Sequence, residues 1–419
     1  MTAGETHQAI EATFRIERAR LIAGLARMVR NVDLAEELAQ DALVVALSEW
    51  PRTGVPAKPG AWLMAVAKRR AIDALRRDKM RERKHAEIAR TLNEATEVAM
   101  DDDLGDELLG LIFTACHPML LPEARAALTL RVVGGLTTEE IARAFLSSEA
   151  AIAQRIVRAK KAIAKAGLTY EVPRGAERAA RLPSVLEVIY LIFNEGYAAT
   201  AGEDLVRPGL CLEAQRLGRM LAGLMPEDAE VLGLLALMEI QASRLRARTG
   251  PDGSFVLLTE QDRSRWDQLL IRRGLDALAR AEALGGNGPY VLQAALAACH
   301  ARARRGADTD WSRIAALYDR LRVVAPSPVV DLNRAIAHSM AFGPEAGLRL
   351  LDEIGDAAAL RHYAPLAAAR GDFLFRAGRL AEARSEFKAA ATLTRNMRER
   401  AFLLARADAC ATASTESCF

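Results

Sequence analysis

Aromatic residues are scarce in this chain: Phe, Trp and Tyr together make up 5% of its 419 residues. β-Branched runs bounded by turn signals are scarce as well, which argues against a sheet-built sandwich or barrel. The five cysteines (Cys116, Cys211, Cys299, Cys410 and Cys418) are scattered with no CxxC pair, so neither a disulfide frame nor a zinc site is signalled. No apolar run approaches the length of a membrane span, and the N-terminus lacks a secretory pattern. A cytosolic location with no membrane partner is expected. No Ser/His/Asp or paired-carboxylate arrangement stands out, so the chain reads as a non-enzyme with no catalytic residue, no metal and no cofactor.

What is abundant is Ala, Leu, Arg and Glu, all strong helix formers. With 51% hydrophobic and 26% charged residues, the chain has the composition of a globular protein, and its length calls for two or three domains. The expected fold class is all-α.

The formal net charge of +3 hides a strong patterning. Between residues 51 and 90 stand Arg52, Lys58, Lys68, Arg69, Arg70, Arg76, Arg77, Lys79, Arg81, Arg83, Lys84 and Arg90 against four acids. Residues 91–110 then carry Glu94, Glu97, Asp101, Asp102, Asp103, Asp106 and Glu107 with no Lys or Arg. A basic block, an acidic stretch and a second basic helix suggest a polyanion-binding front half with an acidic linker.

Residues 10–50 read as amphipathic helices, the second with Leu34, Leu38, Ala42, Val45 and Leu47 on its apolar face. "WPRTGVPAKPG" (50–60) reads as a loop because its prolines and glycines break helices. A long helix follows from about Ala61 to Arg83, with Leu63, Val66, Ala67, Ile72 and Leu75 inward. From 184 onward helix follows helix. "LLTEQDRSRWDQLL" (257–270) is expected to start one at Thr259 or soon after. "AARGDFLFRAGRLAEARSEFKAAATL" has tetratricopeptide spacing, with Gly371, Leu374, Gly378, Ala383, Phe387 and Ala390 where two antiparallel helices pack. One clear repeat among vague ones predicts an irregular helix-pair solenoid.

The stretch "GGLTTEEIARAFLSSEAAIAQRIVRAKKAIAKAG" (134–167) predicts a short helix, a tight turn and a longer basic helix. Thr137 or Thr138 caps the first helix and Ser148 the second. Ile152, Ile156, Ala159 and Ile163 recur at helical spacing and pack inward, leaving Gln154, Arg155, Arg158, Lys161 and Lys165 on the open side. That is what a helix-turn-helix offers to base edges and phosphates. The other basic helix, led by Trp62, suits a phosphate backbone, with its preceding loop available to unstacked bases. Taken singly, each basic face also fits a plain solvated helix surface.

Together the two basic units resemble the conserved regions of bacterial extracytoplasmic-function sigma factors. "DLAEELAQDALVVAL" (33–47) looks like the region 2 helix that docks on RNA polymerase, and "AWLMAVAKRRAIDALRRDKMRER" (61–83) like its neighbour that helps melt and read the minus-ten element. "ALTLRVVGGLTTEEIARAFLSSEAAIAQRIVRAKKAI" (127–163) looks like region 4, whose second helix reads the minus-thirty-five element. "LIFTACHP", "LIFNEGYAAT", "QDRSRWD", "PSPVVDLNRA" and "RERAFLLARAD" resemble a subgroup with a C-terminal tetratricopeptide-like extension.

The resemblance implies region 2 over 1–90, an acidic linker over 91–107, region 4 over 108–170 and a helical extension over 184–419 that modulates activity. It implies core RNA polymerase and promoter DNA as partners, and leaves open an unknown protein or ligand at the extension. Gln154, Arg155, Arg158, Lys161 and Lys165 would contact the upstream element, and Trp62, Arg69, Arg70, Arg76 and Arg77 the downstream one. Asp33, Glu36, Glu37, Gln40 and Asp41 would face polymerase. Arg69 stands where the family has Asn, and Ala153 where a basic residue is common.

Other residues read as structural: His117 beside Cys116 as a packed helix-end pair, "FNEGYAAT" (193–200) as a polar turn, and Trp266 and Trp311 as core. "GGNGP" (285–289) lacks the strand and helix of a phosphate cradle. Two competing classes remain: a conventional helix-turn-helix regulator with a helical effector domain, and a helical scaffold or enzyme with an incidental basic face.

Overall fold

The computed structural model describes residues 3–86, 104–145, 147–197, 207–250, 256–354, 363–394 and 397–416. The acidic linker therefore falls largely outside the described residues, with only its last four, 104–107, described. The fold is all-α, with no strand among the described residues. Two compact units result, Met1–Ile189 and Tyr190–Phe419.

The first unit opens with three long helices, α1 (Ala3–Val29), α2 (Val32–Thr53) and α3 (Pro59–Ala86). Their shared core takes Leu21, Ile22 and Leu25 from α1, Ala35, Leu38, Ala42, Ala46 and Trp50 from α2, and Leu63, Ala67 and Ala71 from α3. The small alanines let α2 approach its neighbours closely, which shifts its buried face from the expected one. Leu34, Val45 and Leu47 are only half-buried, and on α3 Ile72 is exposed rather than inward.

The expected loop 50–60 is shorter. α2 runs through Pro51 to Thr53, where the Gly54 N–H, at φ 82°, closes it on the Trp50 carbonyl. Pro59 opens α3, where a missing N–H costs nothing.

Four further helices follow: α4 (Leu104–Ala115), α5 (Pro122–Val132), α6 (Thr138–Ala144) and α7 (Glu149–Lys165). α8 (Gly175–Tyr197) contributes residues to both units, and its first half is tied down within the first. Ser184 Oγ donates to the Cys116 carbonyl at 2.6 Å, Arg181 donates to the Phe113 carbonyl at 2.9 Å, and buried Arg125 donates to Ser184. Cys116 sits 3.3 Å from the Thr129 hydroxyl, and burial pushes its thiol up to about 11. His117 Nδ1 accepts from the Met119 N–H at 3.2 Å, closing the turn after α4. Both residues are thus occupied structurally.

The second unit comprises α9 (Pro208–Leu224), α10 (Ala229–Ala242), α11 (Gln268–Ala283), α12 (Pro289–Arg302), α13 (Trp311–Val324), α14 (Pro328–Phe342), α15 (Pro344–Ile354), α16 (Ala364–Arg376), α17 (Leu380–Leu393) and α18 (Met397–Glu416), besides the end of α8. Five of them carry Pro in their first turn.

Within α16–α17, Gly371 lies against the Phe387 ring, where an added Cβ would come within 3.0 Å. Gly378 ends α16 at φ 78°, with the Gly378 and Arg379 N–H groups returning to the carbonyls of Phe375 and Leu374. The tetratricopeptide-like pair is therefore built as its spacing predicts.

The helix expected near Thr259 starts only at Gln268. Asp262 accepts from the Ser264 N–H and closes one 3-10 turn. Trp266 is then extended and buried beside Ala247 and Ile271, and Asp267 caps α11. The core position of Trp266 forces the break.

Candidate nucleic-acid interface

The α6–α7 pair is a helix-turn-helix fixed at both starts by its own side chains. Thr137 Oγ1 accepts from the Glu140 N–H at 3.1 Å while Glu140 Oε2 accepts from the Thr137 N–H at 2.7 Å, a reciprocal capping box. Ser148 Oγ accepts from the Ala151 N–H at 3.2 Å at the head of α7. Ile152, Ile156, Ala159 and Ile163 are all buried.

Gln154, Arg155, Arg158, Lys161 and Lys165 are exposed, as is Ala153. No carboxylate among the described residues lies within ion-pair distance of these four cations. About three turns of uncompensated positive charge thus ride on a helix narrow enough for a major groove.

On α3, Arg69, Arg76 and Arg77 are exposed, with Arg77 Nε donating to the Asp73 carbonyl at 3.2 Å. Arg70 is paired with Asp41 of α2. Trp62 is half-buried, edge-on against buried Trp50 with ring centroids 5.3 Å apart. That contact anchors the head of α3 and leaves one side of the indole reachable. The side chains of Lys79, Arg81, Arg83 and Lys84 lie outside the described residues.

Asp33, Glu37 and Gln40 are exposed on α2, and Asp41 is half-buried with Arg70. Glu36 differs from the surface role expected of it. Its carboxylate, 11% exposed, accepts from Arg18 at 2.7 Å, lies 3.4 Å from Arg131 and meets Lys160 at 2.6 Å. Lys160 also reaches Asp33 at 2.6 Å, and Arg18 donates to the Arg131 carbonyl at 2.8 Å. Burial pushes the Arg18 guanidinium below its ordinary value, and the adjacent Glu36 pulls it back up.

This cluster ties α1 and α2 to α5 and α7. Sequence reading passed over Arg18, Arg131 and Lys160. The available signal was position: Lys160 flanks the Ile156–Ala159–Ile163 stripe, so its ammonium stands at the edge of the buried seam instead of on the open face.

Comparison with known proteins follows the same division. Residues 14–81 match the family model for Sigma-70 region 2, and residues 111–163 that for Sigma-70, region 4. Residues 181–282 match a family of unknown function, DUF6596. The chain is 43% identical over 396 residues to the uncharacterized protein R00370 of Rhizobium meliloti (strain 1021), covering 93% of each. Among solved structures, the crystal structure of the yeast Tom70 aligns over 99% of this chain and 85% of its own, at 12% identity and a TM-score of 0.32.

Proposed function

The chain belongs to the sigma-70 family, as an extracytoplasmic-function-type sigma factor with a C-terminal helical extension, and from that premise we propose how its residues divide the work of transcription initiation. Region 4 uses α7: Gln154 and Arg155 read base edges in the minus-thirty-five element, while Arg158, Lys161 and Lys165 hold phosphates. Region 2 uses α3, where Arg69, Arg70, Arg76 and Arg77 track the minus-ten strand and Trp62 supports the base taken out of the stack.

Asp33, Glu37, Gln40 and Asp41 dock on core polymerase, and Glu36 joins them once its ion cluster opens. The working parts are residues 1–90, 108–170 and 184–419, joined by the acidic stretch 91–107, and the extension modulates activity. The whole acts in the cytoplasm without a catalytic step of its own.

The observation that carries the DNA assignment is the row of exposed, uncompensated cations on α7, opposite a fully buried apolar stripe. Such a face attracts phosphates strongly and has no internal partner to satisfy. In-vitro transcription of fragmented genomic DNA by core polymerase, with and without this protein, tests the reading. New RNA starts sharing two spaced upstream elements are expected. No new starts from either the full chain or a 1–189 fragment, which keeps the whole first unit, would overturn it. Deleting 190–419 tests the extension: lost or raised activity supports modulation, and unchanged activity refutes it.

A further inference from the structure

The second unit holds a cavity of about 340 Å³ bounded by α8, α10, α12, α13 and α14, within the size range of small-molecule sites. Its chemistry is unusual for a gap between packed helices. Arg244, two residues past the end of α10, lines it and is 6% exposed. The guanidinium lies over the rings of Trp266 at 5.8 Å and Tyr197 at 6.0 Å. Rings attract the cation but accept none of its in-plane N–H donors, and Nε has no hydrogen-bond partner. No carboxylate pairs with Arg244 among the described residues. An arginine this buried without an acid is an expensive group to keep unless something supplies the anion.

The surroundings add positive potential, and the acid that acts on Arg263, Asp308, is itself paired with Arg305. Arg263 donates to the carbonyls of His300 and Ala303, at 2.5 and 2.7 Å, so its role is structural. His300, which also lines the cavity, is held neutral: burial first, then Arg244 and Arg263, push it down to about 3. The remaining polar groups suit orientation. Tyr190 donates to Gln293 Oε1 at 3.4 Å, Gln293 Nε2 is held on the Pro289 carbonyl at 3.2 Å, and the Tyr318 phenol completes the wall. Gln241 and Asn333 add two further polar side chains, and apolar and aromatic surface fills the rest.

We propose that this cavity binds a small monocarboxylic acid with a planar or apolar body, its carboxylate paired with Arg244 and its body against Tyr190 and Tyr318. One guanidinium fork matches one carboxylate in a bidentate pair. The site is independent of the transcription reading, because binding is measured with no polymerase or DNA present.

The test uses the full chain, benzoate as probe and benzamide as its neutral isostere, by calorimetry at constant ionic strength. A probe this small is expected to bind in the millimolar range, so titration runs to about 50 mM. Benzamide is expected to bind at least about tenfold more weakly, and Arg244→Gln to abolish the preference. No benzoate binding, equal binding of the two, or an unchanged preference in R244Q overturns the proposal.

Because R244Q removes a buried cation and can unfold the unit, the wild-type chain is also labelled with 4-azidobenzoate. Crosslinks protected by benzoate must fall on the cavity walls at 190, 237–244, 258, 290–300, 311–318 or 333–337; labels elsewhere overturn the site. Acetyl-glycyl-phenylalanine, acid against amide, distinguishes the carboxylate's source. Tighter binding of its acid than of benzoate assigns the site to a chain terminus and overturns the free-acid form, whereas weaker binding supports a free small acid.

Discussion

Lys160 Nζ stands 2.6 Å from Glu36 Oε2 and 2.6 Å from Asp33 Oδ1, joining the DNA-reading helix α7 to the acidic face of α2. The Lys160 and Glu36 side chains are 10% and 11% exposed, so the pair is worth more than a surface ion pair. Removing Lys160 leaves Glu36 with Arg18 and Arg131, which limits the loss. Lys160→Ala is expected to destabilise the first unit by about 1–2 kcal/mol, while Glu36→Gln, which removes the carboxylate shared by Arg18, Arg131 and Lys160, costs about 3–5 kcal/mol. Urea unfolding followed by Trp50 and Trp62 fluorescence reads both. If the acidic face of α2 docks on polymerase, Lys160 competes for it, so Lys160→Ala should also bind core enzyme more tightly. Loss of stability with no gain in core affinity would detach the cluster from polymerase docking.

Arg155 and Lys161 are both exposed on α7, one near its head and one farther along. Groups near the head of a recognition helix reach base edges, whereas later ones meet phosphates. Arg155→Ala should therefore cost roughly 1–3 kcal/mol and relax specificity at one base pair. Lys161→Ala should weaken all promoters alike and reduce the salt slope by about one unit. Transcription across a promoter library at two salt concentrations separates the outcomes, and wild-type behaviour in both variants would remove α7 from the DNA contact.

The capping box of Thr137 and Glu140, the Ser148 cap and the buried stripe of α7 were legible because each depends on neighbours within four residues. The α16–α17 pair was legible for a related reason: a glycine facing an aromatic ring fixes the approach of two short helices. Sequence failed where a distant partner decided the matter. Ala35, Ala39 and Ala46 gain core positions only because α1 and α3 close over them. Glu36 loses its surface role to Arg18, Arg131 and Lys160, the last 124 residues away. The buried Arg244 is unreadable too, since nothing in "ASRLRARTG" distinguishes it from Arg246 or Arg248.

His300 sets a pH dependence for the second unit. Its imidazole is pushed down to about 3 in the fold, from an ordinary 6.5, by burial and then by Arg244 and Arg263. The folded form thus refuses a proton that the unfolded chain accepts. Its contribution to stability is complete above pH 6.5 and is lost as pH falls from there towards 3, at up to about 1.4 kcal/mol per pH unit. Urea midpoints between pH 7.5 and pH 5 should fall in the wild type, and His300→Asn should flatten the slope. A slope unchanged by the substitution would mean that the imidazole is hydrated in the fold.

Two glycines of the second unit should respond with opposite signs to the same substitution. Gly223, in the last turn of α9, has nothing within 4 Å of an added Cβ, so Gly223→Ala gains only helix propensity, about 0.4–1 kcal/mol. At Gly233 of α10 an added Cβ would lie 2.6 Å from the Val291 backbone nitrogen and 2.9 Å from its Cα. That backbone belongs to the first turn of α12 and cannot yield as a side-chain tip would. Separation of the two helices should outweigh the propensity gain and leave Gly233→Ala destabilised by about 1–3 kcal/mol. Chemical denaturation of the two variants decides it: a stabilised Gly233→Ala would mean that α10 and α12 do not meet backbone to backbone at this point, and the close packing that bounds the Arg244 cavity would need to be redrawn.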